Sequence, residues 1–254
     1  MSGVRPGGEV WLRTAQIRGD EFPDREVYPF NVASFQHRQE LSFNQSVSFF
    51  VGENGSGKST LIDAIAVCCG LHIWVGPRRR AAPPSHRPSA AACRHGRLSD
   101  YIRVTLARGP ARGGLFSAES FREWAEFLDD VTQIDPGQAK YHGGAGLTKR
   151  SHGEGLLAYF RGRYQFPGLY LLDEPESALS PASQVDLLNL LAGYQRRGHA
   201  QFIIATHSPI LMALKGAQVF YFGDSGIEET RYEQTTHYRL YRDFMADPRS
   251  FLGG

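Results

Sequence analysis

Phe50-Val51-Gly52-Glu53-Asn54-Gly55-Ser56-Gly57-Lys58-Ser59-Thr60 has the form G-x-x-x-x-G-K-[ST], and its reading decides the fold. Closely spaced glycines let successive backbone N–H groups turn inward as a concave nest for an anion. Lys58 brings a point charge for β- and γ-phosphates, and the Ser59 hydroxyl is placed to hold Mg²⁺. The flanks agree with that chemistry. Val47-Ser48-Phe49-Phe50-Val51 reads as a buried strand, and Thr60 to Val67 reads as a helix whose N-terminus faces the anion. Asn54, Gly55, Ser56, Gly57, Lys58, Ser59 and Thr60 are therefore the expected phosphate contacts. The loop identifies a nucleotide, not a job.

Downstream, the pattern becomes that of an α/β protein. Gly168-Leu169-Tyr170-Leu171-Leu172-Asp173 and Gln201-Phe202-Ile203-Ile204-Ala205-Thr206 are continuous apolar runs of strand length, with a helical leucine pattern between Ser183 and Tyr194. Strand, helix and strand in succession predict a parallel sheet. Ser180-Pro181 and Ser208-Pro209 each put an N-capping serine before a proline at the first helical position, so both helices start just after loops that follow strand ends. Such loops carry the sites of open α/β sheets. Asp173-Glu174 closes the first run: the aspartate is placed to hold Mg²⁺ and the glutamate to polarise a water. His207 follows the second run, where an imidazole reaches a γ-phosphate or the attacking water.

Composition sets the outer bounds. A chain of 254 residues, 41% hydrophobic and 12% aromatic, buries a substantial core, and no apolar run approaches the roughly 18–20 residues a membrane span needs. The first residues, Met1-Ser2-Gly3-Val4-Arg5-Pro6, lack the apolar centre of a signal peptide. Three cysteines, two of them adjacent at Cys68 and Cys69, form neither a disulfide framework nor a metal pattern, so a reducing cytoplasm is the expected setting. The net charge of +2 is small, but Arg78, Arg79, Arg80, Arg87, Arg94 and Arg97 lie in a Pro- and Ala-rich stretch that contains no acid. That stretch, 77–97, reads as a surface loop and makes nucleic acid a possible partner. Before the phosphate loop, short apolar runs such as Glu9 to Leu12 and Tyr28 to Val32 alternate with turn residues and predict a small antiparallel layer. Tyr101 to Leu106 alternates at strand period, Glu119 to Val131 at helical period, and Tyr238 to Ala246 reads as a final helix.

Taken together, Gly52 to Thr60, Leu169 to Pro175, Ser177-Ala178-Leu179 and His207 resemble the Walker A, Walker B, D-loop and H-loop motifs of ABC-type ATPases. Within that class the chain is similar to the stand-alone chromosome-maintenance and RecF-like branch, often named AAA family ATPases, and to small bacterial ATPases of that kind. Ser151-His152-Gly153-Glu154, Ala118-Glu119-Ser120-Phe121 and Tyr241-Arg242-Asp243-Phe244 carry the latter likeness. Ser151 to Gly155 stands where the family's signature motif falls; locally, Ser151 and Glu154 also form an S-x-x-E capping box. The resemblance implies that Ser151 and Gly153 address the γ-phosphate held by a second copy, so that ATP joins two chains and hydrolysis releases them. Arg150, His152 and Glu154 replace the transporter signature's Leu, Gly and Gln, and Ser180 stands where an aspartate often ends the D-loop. Glu119 is the candidate at the Q-loop position, as a ligand of Mg²⁺ or water. Tyr28 and Phe30 are candidates for stacking on adenine.

These expectations describe one domain of P-loop ABC-ATPase fold: a mostly parallel sheet flanked by helices, an antiparallel β layer in 1–70, the Arg/Pro-rich loop at 77–97, an inserted mainly helical subdomain over 98–160, and the remaining motifs with a final helix over 161–254. The implied activity is hydrolysis of ATP with Mg²⁺ by Lys58, Glu174 and His207, with metal ligands Ser59, Asp173 and Glu119, in an ATP-dependent homodimer. A DNA-associated ATPase of repair, maintenance or defence, and the ATP-binding subunit of a membrane transporter, are the alternatives.

Overall fold

The computed structural model describes residues 10–73, 97–107, 109–118, 121, 126 and 152–252. Strands β1 (Leu12–Arg18), β2 (Arg38–Ser42) and β5 (Ile102–Leu106) form an antiparallel sheet in the order β2-β1-β5. A second sheet combines β3 (Val47–Gly52), β4 (His72–Ile73), β6 (Gly113–Ser117), β7 (Gly168–Asp173), β8 (Ala200–Ala205), β9 (Gln218–Gly223) and β10 (Gly226–Thr230). Its order is β10-β9-β3-β8-β7-β6-β4, parallel throughout except where β10 hairpins onto β9.

Both faces of this sheet are covered, which is why its central strands read as continuous apolar runs rather than alternating ones. On β3, β7 and β8, Phe49, Leu172 and Ile204 enter one core, whereas their neighbours Phe50, Leu171 and Ile203 enter the other. Helices α2 (His152–Arg163) and α3 (Pro181–Arg197) close the first face with Leu156, Phe160, Leu187, Leu191 and Tyr194. Ser180 caps α3 by accepting from the Ser183 N–H, and Gly198 ends it in the left-handed region at φ 62°. Helix α1 (Lys58–Cys68) lies on the second face, between the two sheets: Leu61, Ile62 and Ile65 share one core with Ile17 of β1, Ile102 of β5 and Leu171 of β7. A helix clasped on both sides must be apolar nearly all round, and Leu61 to Ala66 is, save for Asp63. Two further helices complete the fold: the short α4 (Pro209–Met212), capped by Ser208, and α5 (Thr236–Ala246), after the last strand and capped by Thr235.

Two expectations change here. Tyr28 to Val32 is a turn, not a strand of the antiparallel layer. The stretch opening at residue 98 is not inserted at its start, because β5 pairs with β1 and β6 pairs with β7; both belong to the main sheets. Nearly all of 119–151, the middle of the expected subdomain, lies outside the described residues, as does the Arg-rich stretch before Arg97, while 152–160 belongs to α2.

Candidate active site

Register places the chemistry. Phe50 of β3 and Asp173 of β7 are both level with Ala205 of β8, so the three strands end together at one edge of the sheet. The chain leaves that edge as the phosphate loop, as Glu174 and as His207, the last two 115 to 149 residues away in sequence from Ser59 and Lys58. Cross-bonds tie the exits together: the Glu174 N–H donates to Ala205 O at 3.0 Å and the Thr206 N–H to Phe50 O at 3.1 Å.

The phosphate loop closes on itself. Gly57 adopts φ 98°, and a Cβ there would stand 2.5 Å from the Phe35 ring, so the residue before α1 must be glycine for conformation and for space alike. Lys58 is buried; its ammonium donates to Gly52 O at 2.8 Å and Glu53 O at 2.9 Å, which curls it over the loop. Burial lowers its pKa from the usual lysine value, and the negative charges of Glu174, Asp173 and Glu53 oppose that shift. The Ser59 hydroxyl donates to Asp173 Oδ1 at 2.8 Å, joining the two motifs by one bond. Among the described residues no group of three His, Cys, Asp or Glu side chains is arranged to hold a metal by itself. A hydroxyl beside a carboxylate is instead the kind of partial hard-oxygen site that suits Mg²⁺, which is commonly completed by phosphates and water.

Glu174 stands at φ 47°, the one non-glycine residue in the left-handed region among those described. That backbone turns its carboxylate away from the strand: Oε2 accepts from the Ser177 hydroxyl at 3.2 Å, and Oε1 lies 3.6 Å from His207 Nε2. His207 is held twice. Its backbone N–H donates to Glu176 Oε1 at 2.7 Å, and its Nδ1 is 3.1 Å from Nε2 of His237 at the start of α5. Burial, then the charge on Lys58, lowers the pKa of His207, and burial lowers that of His237. Burial raises the Glu176 carboxyl, while the His207 N–H it accepts pulls the other way.

Of the expected site residues, Asn54 to Thr60, Asp173, Glu174 and His207 come together at this edge. Gly153, in the first turn of α2, instead neighbours the D-loop segment: a Cβ on it would meet Ala178 O and Leu179 Cδ2, each at 3.5 Å. Ser151 and Glu119 lie outside the described residues. The two aromatic candidates separate cleanly. Phe30 is fully buried against Phe22 and Tyr101, whereas Tyr28 is 54% exposed with its hydroxyl 2.8 Å from Thr60 Oγ1. Sequence reasoning missed Glu176 and His237. The first carried a faint signal, a third carboxylate just past Asp173-Glu174; the second had none, since no spacing rule links residues 207 and 237.

A family model described as "AAA domain" matches residues 30–108, and one described as "AAA domain, putative AbiEii toxin, Type IV TA system" matches 140–213. The Phosphonates import ATP-binding protein PhnC 2 of Pseudomonas aeruginosa is 30% identical over 246 residues, covering 84% of this chain and 85% of that protein. The chain belongs to the ABC-type ATPases. Like other ABC-type ATPases it hydrolyses ATP to ADP and phosphate. The Thiamine import ATP-binding protein ThiQ of a Ruegeria species is 28% identical over 165 residues, 63% of this chain and 69% of that one. Two solved structures share the ABC-type ATPase fold: cbiO1 of Clostridium perfringens (TM-score 0.52, 16% identity, 95% of this chain and 98% of that one) and the SmcHead bound to the C-winged helix domain of ScpA (TM-score 0.53, 14% identity, 87% and 98%).

Proposed function

We propose that this ABC-type ATPase works as a pair of chains that close on ATP and open on its hydrolysis, coupling that cycle to a further partner. The observation that carries the reading is the separation within one chain of the two halves expected for a site. Lys58, Ser59, Asp173, Glu174 and His207 gather at one sheet edge, while Gly153 sits against Ala178 and Leu179. A signature glycine packed beside the D-loop is supplied most simply to the nucleotide of a second copy, and a two-fold pair completes both sites.

In this account the backbone N–H groups from Asn54 to Thr60 bind the phosphates, with Asn54 and Gly55 forming the turn. Lys58 exchanges its two carbonyl acceptors for the β- and γ-phosphates, a swap that its burial favours because an anionic acceptor replaces neutral ones. Ser59 and Asp173, joined by Glu119, would hold Mg²⁺, which neutralises phosphate charge when bound. Glu174 accepts a proton from the attacking water, and His207, 3.6 Å from that carboxylate, orients the γ-phosphate and the same water. Tyr28, exposed beside Thr60, supplies the face for adenine. Ser151 and Gly153 serve the partner's γ-phosphate.

The test is phosphate release by wild type and by Glu174→Gln at saturating ATP and Mg²⁺. Loss of a general base is worth about 10²–10⁴-fold, so the variant should bind ATP and turn it over at least about a hundredfold more slowly. Undiminished turnover would end this assignment. A second reading, favoured by the 30% identity to an import ATP-binding protein, makes the partner an integral membrane subunit. Co-purification with such a subunit decides for it; ATP-dependent, salt-sensitive DNA binding through the six arginines of 77–97 decides for a DNA-associated ATPase. Among the described residues no helix is long and apolar enough to cross a membrane.

A further inference from the structure

We propose that His237, on the C-terminal helix, is a positioning residue that fixes the tautomer of His207 and makes it a hydrogen-bond donor rather than a base. The inference rests on the role given to His207 above. It begins from the two anchors on that histidine: Glu176 Oε1 takes its backbone N–H at 2.7 Å, and His237 Nε2 meets its Nδ1 at 3.1 Å. Only Nε2 is left to work. That atom is buried, has no hydrogen-bond partner among the described residues, and points at Glu174 Oε1 from 3.6 Å.

Toward the Glu174 carboxylate and a phosphate, donor and acceptor arithmetic then allows one arrangement. A carboxylate only accepts, and so does a phosphate oxygen, so Nε2 of His207 must carry a proton to serve either. In a neutral imidazole the other nitrogen is then bare, and Nδ1 must accept. Its partner, Nε2 of His237, therefore donates, which leaves Nδ1 of His237 bare; that atom is also buried without a partner among the described residues. Burial disfavours the doubly protonated ring that would escape this logic. The result inverts the usual support of a catalytic histidine. There an acceptor, a carboxylate or a carbonyl, holds Nδ1–H and leaves Nε2 as a base. Here a donor stands behind the ring, so Nε2–H faces the reacting atoms and the base must be Glu174.

His237 is itself firmly held. It is the second residue of α5, whose capping Thr235 is buried, donates to Tyr232 O at 2.7 Å and accepts from the Tyr238 N–H at 3.2 Å. Next to it, Thr236 Oγ1 is 2.9 Å from the Tyr221 hydroxyl of β9. The first turn of the last helix is thus fastened to the main sheet, and through His237 to the hydrolytic edge.

The experiment compares steady-state ATP hydrolysis by wild type, His207→Ala, His237→Leu and His237→Gln, and reads the His207 tautomer in the wild-type protein from its side-chain ¹⁵N shifts. His237→Leu should lower kcat by about ten- to hundredfold, the cost of a misplaced group, with KM for ATP changed by less than about twofold. His237→Gln, whose amide keeps an N–H donor at the same reach, should recover most of the loss; a purely structural role would give no such rescue. The wild-type spectrum should show Nε2 protonated and Nδ1 bare. Protonation at Nδ1 instead, or wild-type kcat in His237→Leu while His207→Ala is inactive, overturns this proposal alone. Wild-type kcat in His207→Ala would overturn the role of His207 itself.

Discussion

Replacing Gln201 by leucine should loosen the joint between the two sheets without touching the nucleotide site. Gln201 is fully buried in β8, and its amide reaches across to β1: Oε1 accepts from the Trp11 and Leu12 N–H groups at 2.8 and 2.7 Å, and Nε2 donates to Leu12 O at 3.0 Å. The need for it is visible in the ladder. The β1–β2 register ends at Thr14 opposite Ser42, so Leu12, two residues further on, has no partner on that strand. Trp11 is partly exposed and can turn its N–H to water, but Leu12 is fully buried. Leucine at 201 would leave both Leu12 groups without partners, at about 1–3 kcal/mol each. The apolar side chain regains about 1.5 kcal/mol of transfer energy. The net loss is centred on about 2–3 kcal/mol, a fall in Tm of about 5–10 °C for a domain of this size. Thermal melting by circular dichroism reads it directly, and KM for ATP should stay unchanged, because Gln201 lies four residues from Ala205 at the far end of the strand. A Tm within about 2 °C of wild type would refute the reasoning that this side chain replaces missing ladder bonds.

Two further outcomes follow from the site. Tyr28→Ala should weaken ATP binding by about fivefold through loss of a stacking face, and Tyr28→Phe by much less, in competition titrations with a fluorescent nucleotide; equal losses would assign the effect to the hydroxyl on Thr60 instead. Both His207 and His237 are lowered by burial from the ordinary 6.5, so below that pH the unfolded chain binds protons that the folded chain refuses. Stability should therefore fall as pH drops from 6.5 through the two folded-state pKa values and show no contribution from this pair well above 6.5. The double variant His207→Gln/His237→Gln should flatten that slope in nucleotide-free melting curves, and an unchanged slope would place the titrating groups elsewhere.

What the sequence disclosed followed from locality and from the density of its signals. The phosphate loop, the strand before it and α1 are one continuous stretch in which glycine spacing and apolar pattern agree, so strand, loop and helix could be read together. β7 and β8 were legible for a different reason: buried on both faces, they carry no polar residue before the closing Asp173 except Gln201, whose partner Leu12 lies nearly two hundred residues away. Strand β2 escaped notice because only Leu41 of its five residues is buried, leaving no alternation to see. Tyr28 to Val32 misled because its aromatic and apolar side chains serve a turn: Phe30 fills the core while Tyr28 is left outside beside Thr60. The start of the expected insert failed on topology, since a strand-like stretch does not say which of two sheets it joins. In the site, Asp173, Glu174 and His207 stood within motifs, whereas His237 gained its place only when α5 folded back against the sheet edge.

The central claim, that one chain carries two unlike halves of the site, is met most directly by sedimentation velocity of Glu174→Gln with and without ATP and Mg²⁺. The account predicts a monomer without nucleotide and a stable dimer with it, and a monomer under both conditions once Lys58→Ala is added. A Glu174→Gln protein that binds ATP yet remains monomeric at every concentration tested would contradict it.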